Sequence, residues 1–162
     1  MKREQKTLTN KGFSLVELII VVAIMAVLIG VLAPQYLRYV EKSRLQKDNT
    51  SISEFANVLK MSAAEEAIVS KLASGGEVFT FNTADGKLVT TAATADLVAE
   101  IKLSLNPDDV KLTSNTYLKN GGTPPTITLS ADPTTKILRV TAVGWMDSQT
   151  ATPTTASNPK VF

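Results

Sequence analysis

One carboxylate dominates the chemistry that this sequence offers. Glu17 is the single charged residue in an otherwise apolar run from Leu15 to Ala33. An ionised side chain at the centre of a bilayer costs roughly 2.5–3.5 kcal/mol on insertion scales, so a charge in such a run needs a partner. Cysteine and histidine are absent from the chain, which removes the thiol nucleophile, the commonest general base and the commonest neutral metal ligand. Catalysis would have to rest on carboxylates, lysines or hydroxyls, and the expectation is a protein that is not an enzyme and has no cofactor or assigned metal site.

The segment that positions Glu17 is long enough to cross a membrane. Phe13 to Ala33 comprises 21 residues, of which two are polar. A helix of that length spans ~31 Å, against ~30 Å for the hydrocarbon core of a bilayer. The alternatives are an ordinary single-pass anchor and a secretory signal peptide cleaved after Val31-Leu32-Ala33, although Pro34 would directly follow that cut.

The net charge of +2 is unevenly distributed. The first twelve residues carry a charge of +3, because they hold Lys2, Arg3, Lys6 and Lys11 against Glu4. The remainder of the chain therefore sums to −1. With the basic residues before the apolar run, the positive-inside rule predicts a cytoplasmic N-terminus. Since no basic stripe is evident after it, direct nucleic-acid binding is not predicted.

The junction Lys11-Gly12-Phe13-Ser14-Leu15-Val16-Glu17 resembles the prepilin signature of type IV pilins and of the related pseudopilins of type II secretion and competence systems. The resemblance implies that a membrane peptidase cuts between Gly12 and Phe13 on the cytoplasmic side. It also implies that the new N-terminus at Phe13 is methylated and that the apolar helix is retained as the core of a filament. Glu17 is then the fifth mature residue and Pro34 the twenty-second, a position where proline is common in the family.

The same resemblance implies a structural role with defined partners. These are further copies of the chain in a helical filament, the cell membrane before assembly, a prepilin peptidase/methyltransferase, an assembly platform and a cytoplasmic ATPase. The expected location is the cell membrane for the single-pass precursor and an extracellular pilus afterwards. Adhesion, motility, DNA uptake and secretion all stay open as its role, and the rival functions are a pseudopilin and a membrane-anchored binding protein.

Cleavage would expose an amine on Phe13 close in depth to the carboxylate of Glu17. One helix does not easily join them, because they lie at different heights, whereas a neighbouring subunit shifted along the filament axis can supply its amine. Such a pair in an apolar core is weakly screened. We therefore expect Glu17 to set the subunit register, as buried polar groups do in coiled coils. The alternative is a Glu17 that is hydrogen-bonded within its own helix or tolerated near the membrane interface.

Residues 30–34 are the predicted weak point of the helix. Pro34 cannot donate a hydrogen bond to the carbonyl of Gly30, and its ring crowds that carbonyl. Glycine is itself a poor helix former. The resemblance implies loss of helix here when subunits pack in a pilus, and a plain kink at the membrane boundary is the alternative.

The rest of the chain predicts an α+β fold, a long helix packed on a small antiparallel β-sheet. Apolar residues from Leu45 to Ala63 recur at helical spacing, which predicts an amphipathic helix to about Leu72 that stops at Gly75-Gly76. The predicted domains are a leader at 1–12, a transmembrane or filament-core helix at 13–33, an amphipathic half at 34–74 and a β-rich head at 75–162.

Within the head, alternation predicts strands at 78–81, 87–90, 110–112, 126–130 and 136–143 and a short helix at 94–105. From Asp147 onward an irregular, Thr-rich tail is expected, with Val161-Phe162 as a docking anchor. Many Gram-negative pilins close this region with a disulfide, and the absence of cysteine favours a Gram-positive pilin or a pseudopilin. Four aspartates are oxygen ligands of the type that calcium binds: Asp108, Asp109, Asp132 and Asp147. They are interpreted either as calcium ligands or as turn and cap residues, and the second interpretation is preferred.

Overall fold

The computed structural model describes residues 12–90, 95–105, 109–118, 123–146 and 152–162. The chain divides into two compact units between Tyr39 and Val40. Four helices and five strands are assigned in the described residues: α1 Leu15–Ser62, α2 Glu66–Ser74, β1 Glu77–Phe81, β2 Leu88–Thr90, α3 Ala95–Ser104, α4 Asn115–Leu118, β3 Thr126–Ala131, β4 Leu138–Val143 and β5 Lys160–Val161. The predicted α+β class is confirmed.

The N-terminal unit is the apolar part of α1. Among the described residues, α1 is the one helix long and apolar enough to cross a membrane, with a mean hydropathy of 3.1 in its most apolar window and no residue of that window buried. The helix continues without a break through Gly30 and Pro34. The predicted loss of helix concerns the assembled filament, and it stays a prediction.

In the second unit, the rest of α1 packs its apolar stripe against the sheet. Ile52, Phe55 and Leu59 are fully buried on this face. The rings of Phe55 and Phe79 meet edge to face, with centroids 5.5 Å apart, an arrangement that aromatic quadrupoles favour. The prediction that the sheet covers the apolar stripe of the amphipathic helix is therefore confirmed.

The sheet is antiparallel, with strand order β2-β1-β3-β4-β5. Alternate residues of β1 and β3, such as Phe79, Ile127 and Leu129, are buried towards the helix, as the period of two in a strand requires. The predicted strands at 78–81 and 87–90 are observed as β1 and β2, which pair as a hairpin that turns at Gly86. This residue has φ +72°, and a Cβ there would lie 2.3 Å from the carbonyl oxygen of Leu112, so glycine is needed for both its conformation and its lack of a side chain.

The prediction of one helix reaching Leu72 is wrong. Helix α1 ends at Ser62 and α2 starts at Glu66. In a continuous helix, Ile68 would lie nine residues and about 180° from Leu59, on the opposite face. The break redirects the chain so that Ile68 and Leu72 are also buried, at 1% and 2% exposure.

Other boundaries also differ from the prediction. Instead of a strand, residues 110–112 form a single bridge between Lys111 and Lys87, and helix α4 was not predicted. Strand β4 begins at Leu138 because Lys136, with φ 61°, still belongs to the turn. The short helix predicted at 94–105 is observed as α3, and residue 94 lies outside the described residues.

The tail is more regular than expected where it is described. Bridges join Met146 to Pro153 and Thr155 to Asn158, and β5 pairs with β4. The Phe162 ring packs edge to face on Trp145 at 5.2 Å, and Lys60 Nζ donates to the Phe162 carbonyl. The predicted anchor at Val161-Phe162 is thus confirmed.

Candidate functional site

The predicted cleavage point is open to another molecule. Gly12 and Phe13 precede α1 and are exposed, Phe13 at 86%. A Cβ at Gly12 would meet no described heavy atom within 4 Å. Packing of the described chain therefore gives no reason for glycine at this position, and the cleavage site stays a prediction.

Glu17 caps the start of α1. The backbone N–H of Ser14, the residue before the helix, donates to Oε2 of Glu17 at 3.0 Å. This is the glutamate half of a capping box, in which the third helical residue reaches back to the N-cap. The signal was available in Ser14-Leu15-Val16-Glu17, and the sequence analysis missed it.

The alternative given above for Glu17 was a hydrogen bond within its own chain, and the cap shows that such a bond exists in the single molecule. It does not occupy the carboxylate fully, because an ionised glutamate has about four acceptor positions on two oxygens. The Ser14 contact uses Oε2. One group can thus both cap its own helix and accept from the terminal amine of another copy, and the register role stays a prediction.

A second carboxylate, which the sequence analysis did not single out, is fully buried in the head. Asp48 on α1 accepts from the Thr113 N–H and hydroxyl, each at 2.9 Å, and from the Ser114 N–H at 2.7 Å. Hydrogen bonds to an ionised acceptor are stronger than neutral ones. Asp48 therefore fastens the segment before α4 to the long helix.

Glu41, two turns earlier on α1, binds the same segment. Its Oε1 accepts from the Ser114 hydroxyl and the Thr116 N–H, each at 2.8 Å, and from the Thr116 hydroxyl at 2.9 Å. Its Oε2 is buried and has no hydrogen-bond partner in the described residues. We call Glu41 and Asp48 with residues 113–116 the carboxylate clamp.

The clamp continues into a third link on the same helix. Asn49 donates to the Met146 carbonyl and accepts from the Tyr117 hydroxyl, both at 2.8 Å, and that hydroxyl accepts from the Met146 N–H at 2.9 Å. Burial, opposed by the Met146 N–H and assisted by the charge of Asp48, raises the pKa of Tyr117 to about 12. Tyr117 is therefore neutral at physiological pH and serves as a buried cross-link.

The clamp should weaken in acid. Burial raises the pKa of Glu41, but hydrogen bonds from Ser114 and Thr116 and the charge of Arg44 outweigh it, so the pKa lies below its usual value of 4.5. A carboxyl whose pKa is lowered by folding stabilises the fold above its unfolded pKa and loses that contribution as pH falls through the folded value. We expect amide exchange at Thr116 to accelerate below about pH 4, beyond the intrinsic change, and Glu41→Gln to reduce that acid dependence. An equal acid response in both proteins would contradict this role.

The aspartates considered as calcium ligands do not assemble into a site in the described part of the chain, where no group of three or more potential ligands occurs. Asp132 accepts from the Thr134 and Thr135 N–H groups at 2.9 and 2.7 Å. This confirms the turn role preferred for Asp132. Asp108 and Asp147 lie outside the described residues.

The exposed apolar helix, long enough to cross a membrane, and the small α+β head fit a membrane-anchored precursor. Residues 8–33 match the family model of the prokaryotic N-terminal methylation motif, which is the type IV prepilin signature. The chain carries that signature, and the motif indicates a pilin-like or pseudopilin-like structural protein rather than an enzyme. None of the solved structures matches the chain significantly.

Proposed function

We propose that the chain is the structural subunit of a type IV pilus, cut between Gly12 and Phe13, methylated at Phe13 and polymerised through α1. The observation that carries this proposal is the combination of the methylation motif with an apolar helix that has no cover of its own. A motif of this kind implies a processing peptidase and assembly into a filament. The head then forms the outer layer of that filament.

The cost of leaving α1 uncovered supports polymerisation after the membrane stage. Fourteen large apolar side chains between Leu15 and Leu32 are exposed. At about 1.5 kcal/mol each, removing them from water is worth on the order of 20 kcal/mol, more than the roughly 5–15 kcal/mol that holds a typical domain folded. Once the helix leaves the bilayer, the surface that matches it best is the same helix of neighbouring copies.

The motif supports the orientation of the precursor more firmly than charge does. The positive-inside rule counts lysines and arginines within about 15–20 residues of each end of the span. Four basic residues precede the apolar run and four follow it within that distance: Lys2, Arg3, Lys6 and Lys11 before, and Arg38, Lys42, Arg44 and Lys47 after. Because the two counts are equal, charge alone does not set the orientation of the precursor. In the proposal the N-terminus is cytoplasmic because the peptidase cuts on the cytoplasmic side.

The proposal predicts the N-terminus of the mature protein. Mass spectrometry of the chain from whole cells should find Phe13 as its first residue, carrying a methyl group, because the peptide bond after Gly12 is open to the peptidase. Blocking cleavage with Gly12→Leu should leave residues 1–12 in place and prevent filament formation. Mature protein that retains Met1, or that starts beyond Ala33, would contradict the proposal.

Filament imaging separates the pilus subunit from its two rivals. Filaments sheared from cells and purified should contain this polypeptide as their principal component. A membrane-anchored binding protein would stay with the cells and be absent from the sheared fraction. A pseudopilin would be processed at Phe13 but would form a short assembly and be absent from the sheared fraction.

A further inference from the structure

The head contains a groove with several like charges on its walls. Arg44 and Lys47 on α1 and Lys111 before α4 line it, with Asp85 as the acid among its lining residues. Buried Leu112 contributes to the lining, and the open cavity has a volume of about 740 Å³. We call this the basic groove.

The structure holds these cations in place from two sides. Arg44 and Lys47 are three residues apart on α1 and so share one face of the helix. The opposite wall is held by backbone hydrogen bonding. Lys111 and Lys87 form an isolated antiparallel β-bridge, and the Leu112 N–H donates to the Gly86 carbonyl at 2.9 Å. The carboxylate clamp then secures this wall at Thr113.

In the described residues, Arg44, Lys47 and Lys111 form no salt bridge, although the charge of Arg44 acts on the carboxylate of Glu41. In the described residues the salt bridge that forms is Lys71–Asp96, elsewhere on the surface, and no side-chain hydrogen bond from Arg44, Lys47 or Lys111 occurs within that part of the chain. The lining holds three cations and one acid, and a concave surface on which one sign of charge predominates favours a ligand of the opposite charge. The groove therefore suits a negatively charged protrusion.

A protrusion of that kind exists on the same chain. Glu65 and Glu66 are adjacent and exposed at the start of α2. Glu65 occupies the N-cap, where Ser, Thr, Asp or Asn is preferred, but its side chain makes no capping hydrogen bond. Both residues lie at the N-terminal end of α2. We call them the acidic corner.

The other carboxylates available for comparison are mostly engaged within the chain. Asp96 pairs with Lys71, Asp85 accepts from the Lys87 N–H, and Asp132 is used in its own turn. In the described part of the head, the acidic corner is the place where two neighbouring carboxylates are both exposed. Opposite charge and exposure thus select it as the occupant of the basic groove.

Within one molecule the two surfaces are too far apart to meet. Arg44 and Ser62 are 18 residues apart on α1, which is roughly 27 Å along the helix axis, and the acidic corner lies beyond Ser62. We infer that the basic groove of one subunit receives the acidic corner of another copy, displaced by roughly 30 Å along the filament axis. This inference rests on the proposed pilus function, because it requires copies that lie parallel.

Such a contact joins two different surfaces, so each copy can both give and receive it. A heterologous contact between parallel copies does not close, and it therefore propagates as an open helical array. The head would then add its own specificity to an assembly that the apolar helices drive. Like charges placed across such a contact cost several kcal/mol, so it would also reject a wrong register.

Cysteine cross-linking tests the contact in intact filaments. The chain has no cysteine of its own, so Lys47→Cys combined with Glu66→Cys introduces the two thiols alone. Mild oxidation should convert these filaments into a ladder of dimers, trimers and higher species on denaturing gels. The matched control combines Glu66→Cys with Lys102→Cys, an exposed position on α3 outside the groove, and should give no ladder.

Each other outcome has a distinct meaning. A dimer without higher species would show a closed two-fold contact and overturn the inference. Filaments that form normally but do not cross-link would overturn it while leaving the proposed function intact. If the wild-type chain forms no filaments at all, the proposed function itself fails.

Charge exchange gives a second, independent readout. Lys47→Glu alone and Glu66→Lys alone should each lower filament yield by roughly tenfold or more, since each places like charges together. Combining the two substitutions should restore most of the yield, which loss of α2 stability could not explain. Lys102→Glu, the matched control, should assemble normally. If Lys47→Glu filaments assemble normally but no longer bind duplex DNA that the wild type binds, the occupant is a nucleic acid and the inference is wrong.

Discussion

Glu17→Gln should abolish filament assembly while leaving membrane insertion and cleavage of the precursor intact. Glutamine removes the charge but keeps a side-chain oxygen that can accept the Ser14 N–H, which the carboxylate accepts at 3.0 Å. Capping boxes use glutamate and glutamine alike at this position. The substitution therefore separates the local cap from the pairing between subunits, a distinction that Glu17→Ala cannot make.

The expected loss of filament yield is large because the substitution leaves the Phe13 amine of the neighbouring subunit buried without its carboxylate. In the proposed filament, the Phe13 amine of a neighbouring copy would be buried among apolar side chains with no carboxylate to meet it. Removing one member of a buried ion pair typically costs about 3–5 kcal/mol, and each 1.4 kcal/mol is a factor of ten in an association constant. We expect filament yield to fall by more than roughly 100-fold in cells without wild-type subunits.

Quantifying sheared filaments by immunoblotting, with the processed subunit in membranes as the reference, measures this effect. Glu54→Gln is the matched control, because Glu54 is an exposed carboxylate on the same helix. Normal assembly of Glu17→Gln, with failure of Glu17→Ala, would show that the cap is what matters and would remove the register role. Poor assembly of both, with normal cleavage, is the expected result.

Asp48→Ala should destabilise the head more than any surface substitution. The carboxylate is fully buried and accepts from two backbone N–H groups and one hydroxyl on residues 113–114. Truncation would leave three donors without this acceptor, of which the Ser114 N–H is buried and the two on Thr113 are partly buried; a fully buried orphaned group costs about 1–3 kcal/mol and a partly buried one less. A total of roughly 3–5 kcal/mol is a large part of the stability of a small domain.

Urea unfolding of the full-length chain in detergent, followed through Trp145 fluorescence, measures this change. Asp96→Ala is the matched control, since Asp96 forms an exposed salt bridge with Lys71 and such pairs contribute about 0–1 kcal/mol. Asp48→Asn should also destabilise, because its amide nitrogen would face N–H donors. A loss of less than about 1 kcal/mol for Asp48→Ala would show that residues 113–114 find other acceptors and that the clamp is dispensable.

Local signals in the sequence were sufficient for the N-terminal part of the protein. The junction at Gly12 and Phe13, the isolated Glu17 and the length of the apolar run depend on neighbouring residues alone, and the methylation motif matches there. The capping role of Ser14 and Glu17 was equally local and could have been found by the same means. The amphipathic stripe around Phe55 was also sufficient to predict a helix with one buried face.

The head was only partly predictable, because its critical contacts join residues far apart in the chain. The break after Ser62 follows from where Ile68 and Leu72 must be buried, which depends on the position of β3. Buried carboxylates such as Asp48 look like ordinary surface charges in the sequence, since their partners at Thr113 and Ser114 are 65 and 66 residues away.

By itself, the sequence determined the membrane-length helix, the carboxylate within it and the α+β class, since periodicity and short motifs specify these over a few turns or strands. Tertiary structure alone decided that α1 stops early, that Lys160 and Val161 form the edge strand of the sheet, and that Arg44, Lys47 and Lys111 line one groove. The physical reason is that these features exist only once chain segments distant in sequence have paired, and no local pattern encodes which segments will meet.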